Sequence, residues 1–189
     1  MNDTIRAFIA IELPDHINSA IRNVQKNLKS RKLDIRWVSP GNIHLTLRFL
    51  GNIHNEDVQD ISSAISAAVK GINPFAVSIK GLGAFPSLIR QRVVWVGVGD
   101  QTESLARLYD NIEDQLEAFG IAREERRFTA HLTIGRIKGK INVVKLIDAI
   151  REEKDFAEES FSIRDVTLFK SDLKPEGAFY TSLYKASIL

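Results

Sequence analysis

His44-Leu45-Thr46-Leu47 recurs 87 residues later as His131-Leu132-Thr133-Ile134, a spacing close to half of the 189-residue chain. A β-strand turns successive side chains to opposite faces, so each histidine shares a face with the threonine two residues on. The aliphatic residues between and after them share the other face. Each copy therefore sets an imidazole beside a hydroxyl over an apolar backing. If the two halves are related by an approximate two-fold axis, the two polar pairs can face each other across a groove.

The elements on either side of the repeat fit that reading. Segments 6–11, 36–38, 43–49, 75–81, 92–98, 128–134, 161–169 and 179–186 carry strand patterns. Between them lie four amphipathic helices. One opens at Pro14 with Ile17, Ile21, Val24 and Leu28 on one face. The second follows Asn55, has Val58, Ile61, Ile65 and Val69 as its stripe and closes at Gly71. The third is capped by Thr102, buries Leu105, Leu108, Ile112, Leu116 and Phe119, and stops at Gly120. The fourth follows Asn142 with Val143, Leu146, Ile147 and Ile150. Short turns between neighbouring strands favour mixed or antiparallel sheets with helices packed outside, an α+β layout. No Pro-, Gly- or Ser-rich linker divides the chain, so residues 1–189 are expected to form one domain of two tightly packed lobes.

Composition narrows the chemistry. Hydrophobic residues are 44% and charged residues 26%, a globular balance. No apolar run approaches the roughly 20 residues of a membrane helix. The start Met1-Asn2-Asp3-Thr4 lacks a basic leader, so no secretion signal is expected. With no cysteine there is no disulfide, thiolate nucleophile or cysteine-held metal. A cytoplasmic location and a monomer are the expectations. The net charge of +2 permits a phosphate-bearing partner without arguing for one.

Two imidazoles across a groove suit paired proton transfer. A neutral ring accepts a proton from an attacking water, and an imidazolium gives one to a departing oxygen; an ordinary pKa near 6.5 allows both forms around neutral pH. The two threonine hydroxyls, Thr46 and Thr133, suit the non-bridging oxygens of one phosphodiester. Threonine is a poor ligand for most transition metals, so the set reads as acid–base chemistry with no metal and no cofactor. A single half-buried histidine on a strand is most often structural; two copies with matching apolar alternation are harder to dismiss.

The chain resembles the two-histidine phosphoesterases, and among them the LigT-like RNA 2′,3′-cyclic phosphodiesterases, formerly called 2′-5′ RNA ligases. The resemblance runs from Arg6-Ala7-Phe8-Ile9-Ala10-Ile11 through Asn42-Ile43-His44-Leu45-Thr46-Leu47-Arg48-Phe49-Leu50-Gly51 and Gly81-Leu82-Gly83-Ala84-Phe85-Pro86. It continues through Phe128-Thr129-Ala130-His131-Leu132-Thr133-Ile134-Gly135-Arg136 to the closing segment around Leu168-Phe169-Lys170-Ser171 and Tyr180. Ala130 stands where many members carry proline. The resemblance implies a bilobal fold with the site in its central cleft, His44 as proton donor and His131 as proton acceptor. It implies hydrolysis of a terminal 2′,3′-cyclic phosphate to a 2′-phosphomonoester, with 2′-5′ joining of RNA as the same chemistry run with a 5′-hydroxyl in place of water. The partners would be RNA ends or nucleotides bearing the cyclic phosphate.

Several other residues are candidates. A bulge at Gly135 would turn Arg136 into the cleft as a phosphate ligand, against a solvated strand-end arginine. By strand parity Arg48 shares the face of His44 and Thr46, and meets RNA phosphate or solvent. Phe8 is either a nucleobase platform on the cleft floor or a core aromatic. Tyr180 and Ser171 are weaker candidates. Arg126 and Arg127 steer RNA or face solvent. His16 and His54 read as exposed and inert, Trp37 and Trp95 as core. Two other functions compete: an RNA- or nucleotide-binding module without turnover, and a histidine metal site, for which no third ligand lies near either motif.

Overall fold

A computed structural model describes residues 3–88, 92–99, 103–153, 156, 158–175 and 177–189. The order of elements is β1 (Thr4–Glu12), α1 (Asp15–Ser30), β2 (Ile35–Trp37), a 3₁₀ turn (Pro40–Asn42), β3 (His44–His54), α2 (Asp57–Ala68), β4 (Phe75–Phe85), β5 (Val93–Gly99), α3 (Glu103–Ala118), β6 (His131–Ile137), α4 (Val143–Glu152), β7 (Glu159–Ile163), β8 (Asp165–Lys174) and β9 (Gly177–Ser187). The α+β class follows directly. The strands form one curled antiparallel sheet in the order β7-β4-β5-β6-β3-β1-β8-β9, with β2 added along β6.

The two-fold relation lies in that order. Outward from the motif strands, β3-β1-β8-β9 mirrors β6-β5-β4-β7. The two sets join at one antiparallel pair, Leu45 with Leu132, which hold equivalent places in the two motifs. Equivalent residues paired across antiparallel strands define a local two-fold axis at the pair. The sets are not the two halves of the sequence. β2 and β4, from the first half, pair in the β6 set, and β8 and β9, from the end, pair in the β3 set. The chain thus crosses the axis repeatedly, and each set needs strands from both halves.

The single strand expected over 161–169 is two strands. β7 pairs with β4, whereas β8 pairs with β1 on the other side of the molecule, and the crossing is made at Arg164, whose carbonyl accepts from Ile188 N at 2.7 Å. The only mark of the change in Phe161-Ser162-Ile163-Arg164-Asp165-Val166 is the pair of polar residues Arg164-Asp165, which breaks the alternation; on either side each strand keeps one apolar face against the core. β4 extends past Gly81, where a left-handed φ of 70° accompanies a register shift.

The helices take the expected stripes. Ile17, Ile21, Val24 and Leu28 of α1 are buried, as are Leu105, Leu108, Ile112 and Leu116 of α3. Phe119 is the exception at 46% exposed: α3 ends at Ala118 and Gly120 takes φ 82°, so the stripe stops a turn earlier. Asn142 caps α4, accepting from Lys145 N at 3.0 Å. Thr102, expected as a cap, lies outside the described residues. α1 packs beside β7, α2 against α3, β3 and β9, and α4 against β4. No helix among the described residues is long and apolar enough to cross a membrane. The cleft face carries its own small cluster, Phe8, Ala10 and Phe169 with Tyr180, apart from the main core.

Candidate active site

Both motif strands begin with a histidine whose ring is held by the backbone. His44 Nδ1 lies 2.9 Å from the carbonyl of Asn42, and His131 Nδ1 lies 2.6 Å from the carbonyl of Thr129. Each carbonyl is two residues upstream of its ring, so the arrangement is the same in both copies. A carbonyl only accepts, so Nδ1 carries the hydrogen and Nε2 of each ring is left for another partner.

The burial patterns of the two strands coincide over six positions. His44 and Thr46, like His131 and Thr133, are half-buried; Leu45, Leu47 and Arg48, like Leu132, Ile134 and Gly135, are buried; Phe49 and Arg136 are exposed. The break in alternation at the fifth position is a β-bulge. Pairing passes from Arg48 to Thr46 opposite Ile9 and Ala10, and from Gly135 to Thr133 opposite Val94 and Trp95, skipping Leu47 and Ile134. The bulge turns the sixth residue, not the fifth, to the cleft side.

That feature brings Arg136 into the larger part of the cleft and buries Arg48. Arg48 is 8% exposed; its guanidinium donates to Glu113 at 3.2 Å and to the Ala122 carbonyl at 2.5 Å. Arg48 lines the smaller part of the cleft beside His131, with its guanidinium held inward as a brace between β3, α3 and the segment leading to β6. Phe49, its neighbour, takes the cleft position at 57% exposed. Sequence reading missed it because the bulge has no marker in β3. Gly135 shows the matching constraint in β6. A Cβ there would lie 2.6 Å from Ile35 Cγ2, so β2 approaches too closely for any other residue. Gln25, buried on α1, donates to the bulge carbonyl of Ile134 at 2.9 Å and to Val38 at 2.8 Å, which fixes β2 and the bulge together.

Phe8 is no open platform for a base. It is 3% exposed, stacks on His44 with centroids 4.7 Å apart, and stacks on Phe169 at 5.3 Å. Tyr180 meets His44 edge-on at 5.2 Å. His131 is framed differently: Phe85 stands edge-on to it at 4.8 Å, and the Arg126 guanidinium lies 5.7 Å from the Phe85 ring. Arg127 lines the same side of the cleft. His16 is exposed at Ser160 O, and His54 is exposed at the end of β3. Trp37, expected in the core, is half-buried and lines the cleft.

The cleft has two adjoining parts. A cavity of about 570 Å³ is lined by His44, Thr46, Thr133, Arg136, Ser171 and Tyr180 among others, and a smaller one of about 170 Å³ by His131, Thr46 and Phe49. Neither threonine hydroxyl has a partner among the described residues. Burial is the first cause that lowers the pKa of His44 to about 4; the Asn42 carbonyl opposes it and the Arg136 charge adds to it. His131 is lowered for the same reasons, burial first, with Arg126 and Arg136 contributing. Arg136 thus acts on both rings. Among the described residues no group of three His, Cys, Asp or Glu side chains is placed to hold a metal ion.

Paired imidazoles aimed by backbone carbonyls, with a hydroxyl beside each and one arginine serving both, make up the site of a two-histidine phosphoesterase. Residues 11–95 and 96–180 each match the LigT like phosphoesterase family, one motif in each match. The chain belongs to that family. Similar proteins include one from Methanothermobacter thermautotrophicus, 34% identical over 95% of this chain and 96% of its own length, and one from Archaeoglobus fulgidus, 36% identical over 95% and 98%. Both are named RNA 2′,3′-cyclic phosphodiesterase. The fold is shared with a crystal structure of a Thermus thermophilus protein, 25% identical, TM-score 0.80, covering 97% of this chain and 98% of that one. It is shared as well with Escherichia coli LigT, 23% identical, TM-score 0.77, covering 98% of each chain.

Proposed function

We propose that this protein opens 2′,3′-cyclic phosphates at RNA ends, leaving a 2′-phosphomonoester. The observation that carries the reading is the pair of rings, His44 and His131, each with Nδ1 tied to the carbonyl two residues upstream and Nε2 left to work. His131 Nε2 takes a proton from water as the water oxygen attacks phosphorus. The bond from phosphorus to the 3′ oxygen breaks, and His44 Nε2–H protonates that oxygen. Thr46 and Thr133 donate to the non-bridging oxygens, and Arg136 balances the charge they gain. The names of the archaeal relatives support the same substrate. An RNA 5′-hydroxyl in place of water, with the same proton transfers, His131 taking the hydroxyl proton and His44 protonating the departing 3′ oxygen, gives 2′-5′ joining; the abundance of water favours hydrolysis.

With the cleft empty, burial keeps both rings neutral at pH 7. The phosphate anion supplies what the donor role needs, because a negative charge beside an imidazole favours its protonated form. The test uses adenosine 2′,3′-cyclic phosphate in EDTA. His44→Ala and His131→Ala should each lower kcat by about 10²- to 10⁴-fold. Undiminished turnover in either variant, or a strict need for added metal, would overturn the reading. Saturable binding of adenosine 2′-monophosphate without any turnover would favour a binding module instead.

A further inference from the structure

The larger part of the cleft holds more positive charge than one phosphate can use. Arg6 of β1, Arg36 of β2, Arg136 of β6 and Lys174 of β8 line it, and among the described residues no carboxylate does. Overall composition does not explain this, since the chain carries 26 Lys and Arg against 24 Asp and Glu. The three arginines have no hydrogen-bonding or ion-pair partner among the described residues, and Lys174 Nζ lies 4.6 Å above the Phe179 ring.

The fold also sets two of these cations side by side. Arg36 and Arg136 are direct partners across the β2–β6 ladder. Like charges directly opposite each other on one face destabilise a sheet, and such a conflict with local rules is typical of a functional site. An anion between the two guanidinium groups removes the repulsion. Arg136, near both histidines, serves the phosphate that reacts. Arg36, Arg6 and Lys174 are left for another anion. Trp37, half-buried, lines the same cavity, and about 570 Å³ is room for a nucleotide rather than a phosphate alone.

We infer that this cavity binds a second phosphate, carried on the 5′ oxygen of the same nucleoside whose 2′,3′ end is opened, as a terminal monoester or as the first diester of an RNA strand. The inference rests on the phosphodiesterase reading for its substrate. Arg36, Arg6 and Lys174 then determine specificity: they make a nucleotide that bears a 5′ phosphate a better substrate than a bare cyclic nucleotide.

Binding tests this without turnover. Calorimetry should find adenosine 2′,5′-bisphosphate binding wild-type protein about tenfold or more tightly than adenosine 2′-monophosphate, the size of one charge-assisted hydrogen bond. Its affinity should fall more steeply with salt. In the double variant Arg36→Gln/Lys174→Gln the ratio of the two affinities should shrink towards one. Equal affinities in the wild type, or an unchanged ratio in the double variant, would overturn the inference. Hydrolysis rates separate the source of the phosphate. Adenosine 2′,3′-cyclic phosphate, its 5′-phosphorylated form and a dinucleotide ending in the cyclic phosphate are compared by kcat/KM. A gain with the 5′ monoester points to free nucleotides as well as strands; a gain confined to the dinucleotide points to the diester of RNA. Turnover of all three at one rate counts against the second-phosphate site while leaving the phosphodiesterase intact. Absence of all turnover defeats the phosphodiesterase reading, and the affinity ratio alone then decides the site.

Discussion

At the scale of single residues, His44 is set apart by burial between Phe8 and Tyr180, which carries its pKa from 6.5 down to about 4. Between those two values the unfolded chain binds the proton more readily than the folded one. Stability therefore rises with pH through that window and is fully present above it. Melting temperature should climb from pH 4 to pH 6.5, and the climb should be shallower in His44→Ala; equal slopes would contradict the burial argument. The same lowering bears on catalysis. With His44 as the proposed donor, its protonated form in the free enzyme grows only as pH falls, so kcat/KM should follow a bell whose maximum lies on the acid side of neutrality, its limbs belonging to the pair of rings. A rate that is level from pH 5 to pH 9 would rule out paired proton transfer. The histidines and threonines were legible in the sequence because the motif occurs twice. The backing rings were less so, since an aromatic in a buried strand has the same sequence signature whether it touches a catalytic ring or a helix.

At the scale of elements, one bulge repeated in β3 and β6 decides which side chains work. Strand parity alone turns Arg48 to the face of His44 and Thr46, whereas the bulge exposes Phe49 and Arg136 there and buries Arg48 against Glu113. In β6 the glycine is a readable signal of a bulge, and the expectation for Arg136 drew on it together with the family resemblance. In β3 the equivalent residue is Arg48, with no such signal. Gly135→Ala should force β2 away from β6, since the added Cβ would sit 2.6 Å from Ile35 Cγ2. Overpacking of that kind costs about 1–3 kcal/mol. A lower urea midpoint with a parallel loss of kcat/KM is expected; an unchanged midpoint would show that β2 yields freely. Gln25→Ala tests the same bulge from the helix side. It removes one of two donors to the Ile134 carbonyl, which keeps Val38 N at 3.0 Å, so each lost hydrogen bond should cost about 0.5–1.5 kcal/mol in urea denaturation.

At the scale of the whole molecule, the two strand sets are held together by residues far apart in sequence. Arg48 reaches Glu113 on α3 and the carbonyl of Ala122, and Glu113 accepts from Glu124 N at 2.8 Å. This buried pair ties the first motif strand to the segment that feeds the second. Arg48→Met alone strands the Glu113 carboxylate, 2% exposed, and should cost about 3–5 kcal/mol by urea denaturation. Adding Glu113→Leu should recover most of that loss, because the double variant leaves no unpaired buried charge. A double variant no more stable than Arg48→Met would mean that the pair is worth more than its desolvation.

What the sequence by itself determined is local and periodic. Alternation marked most of the strands, helical spacing the four stripes, and the duplicated His-x-Thr the class of chemistry. These depend on neighbours two to four residues away, and a linear chain records them. Only the tertiary structure decided which strands share a sheet, where the bulges shift the facing residue, and that Arg6, Arg36, Arg136 and Lys174 meet in one cavity. Those outcomes depend on hydrogen-bond register and packing between segments far apart in the chain. The split of 161–169 between two strand sets shows why: Arg164-Asp165 breaks the alternation, but nothing local says which partner each side takes, and only the assembled sheet selects β4 for one and β1 for the other.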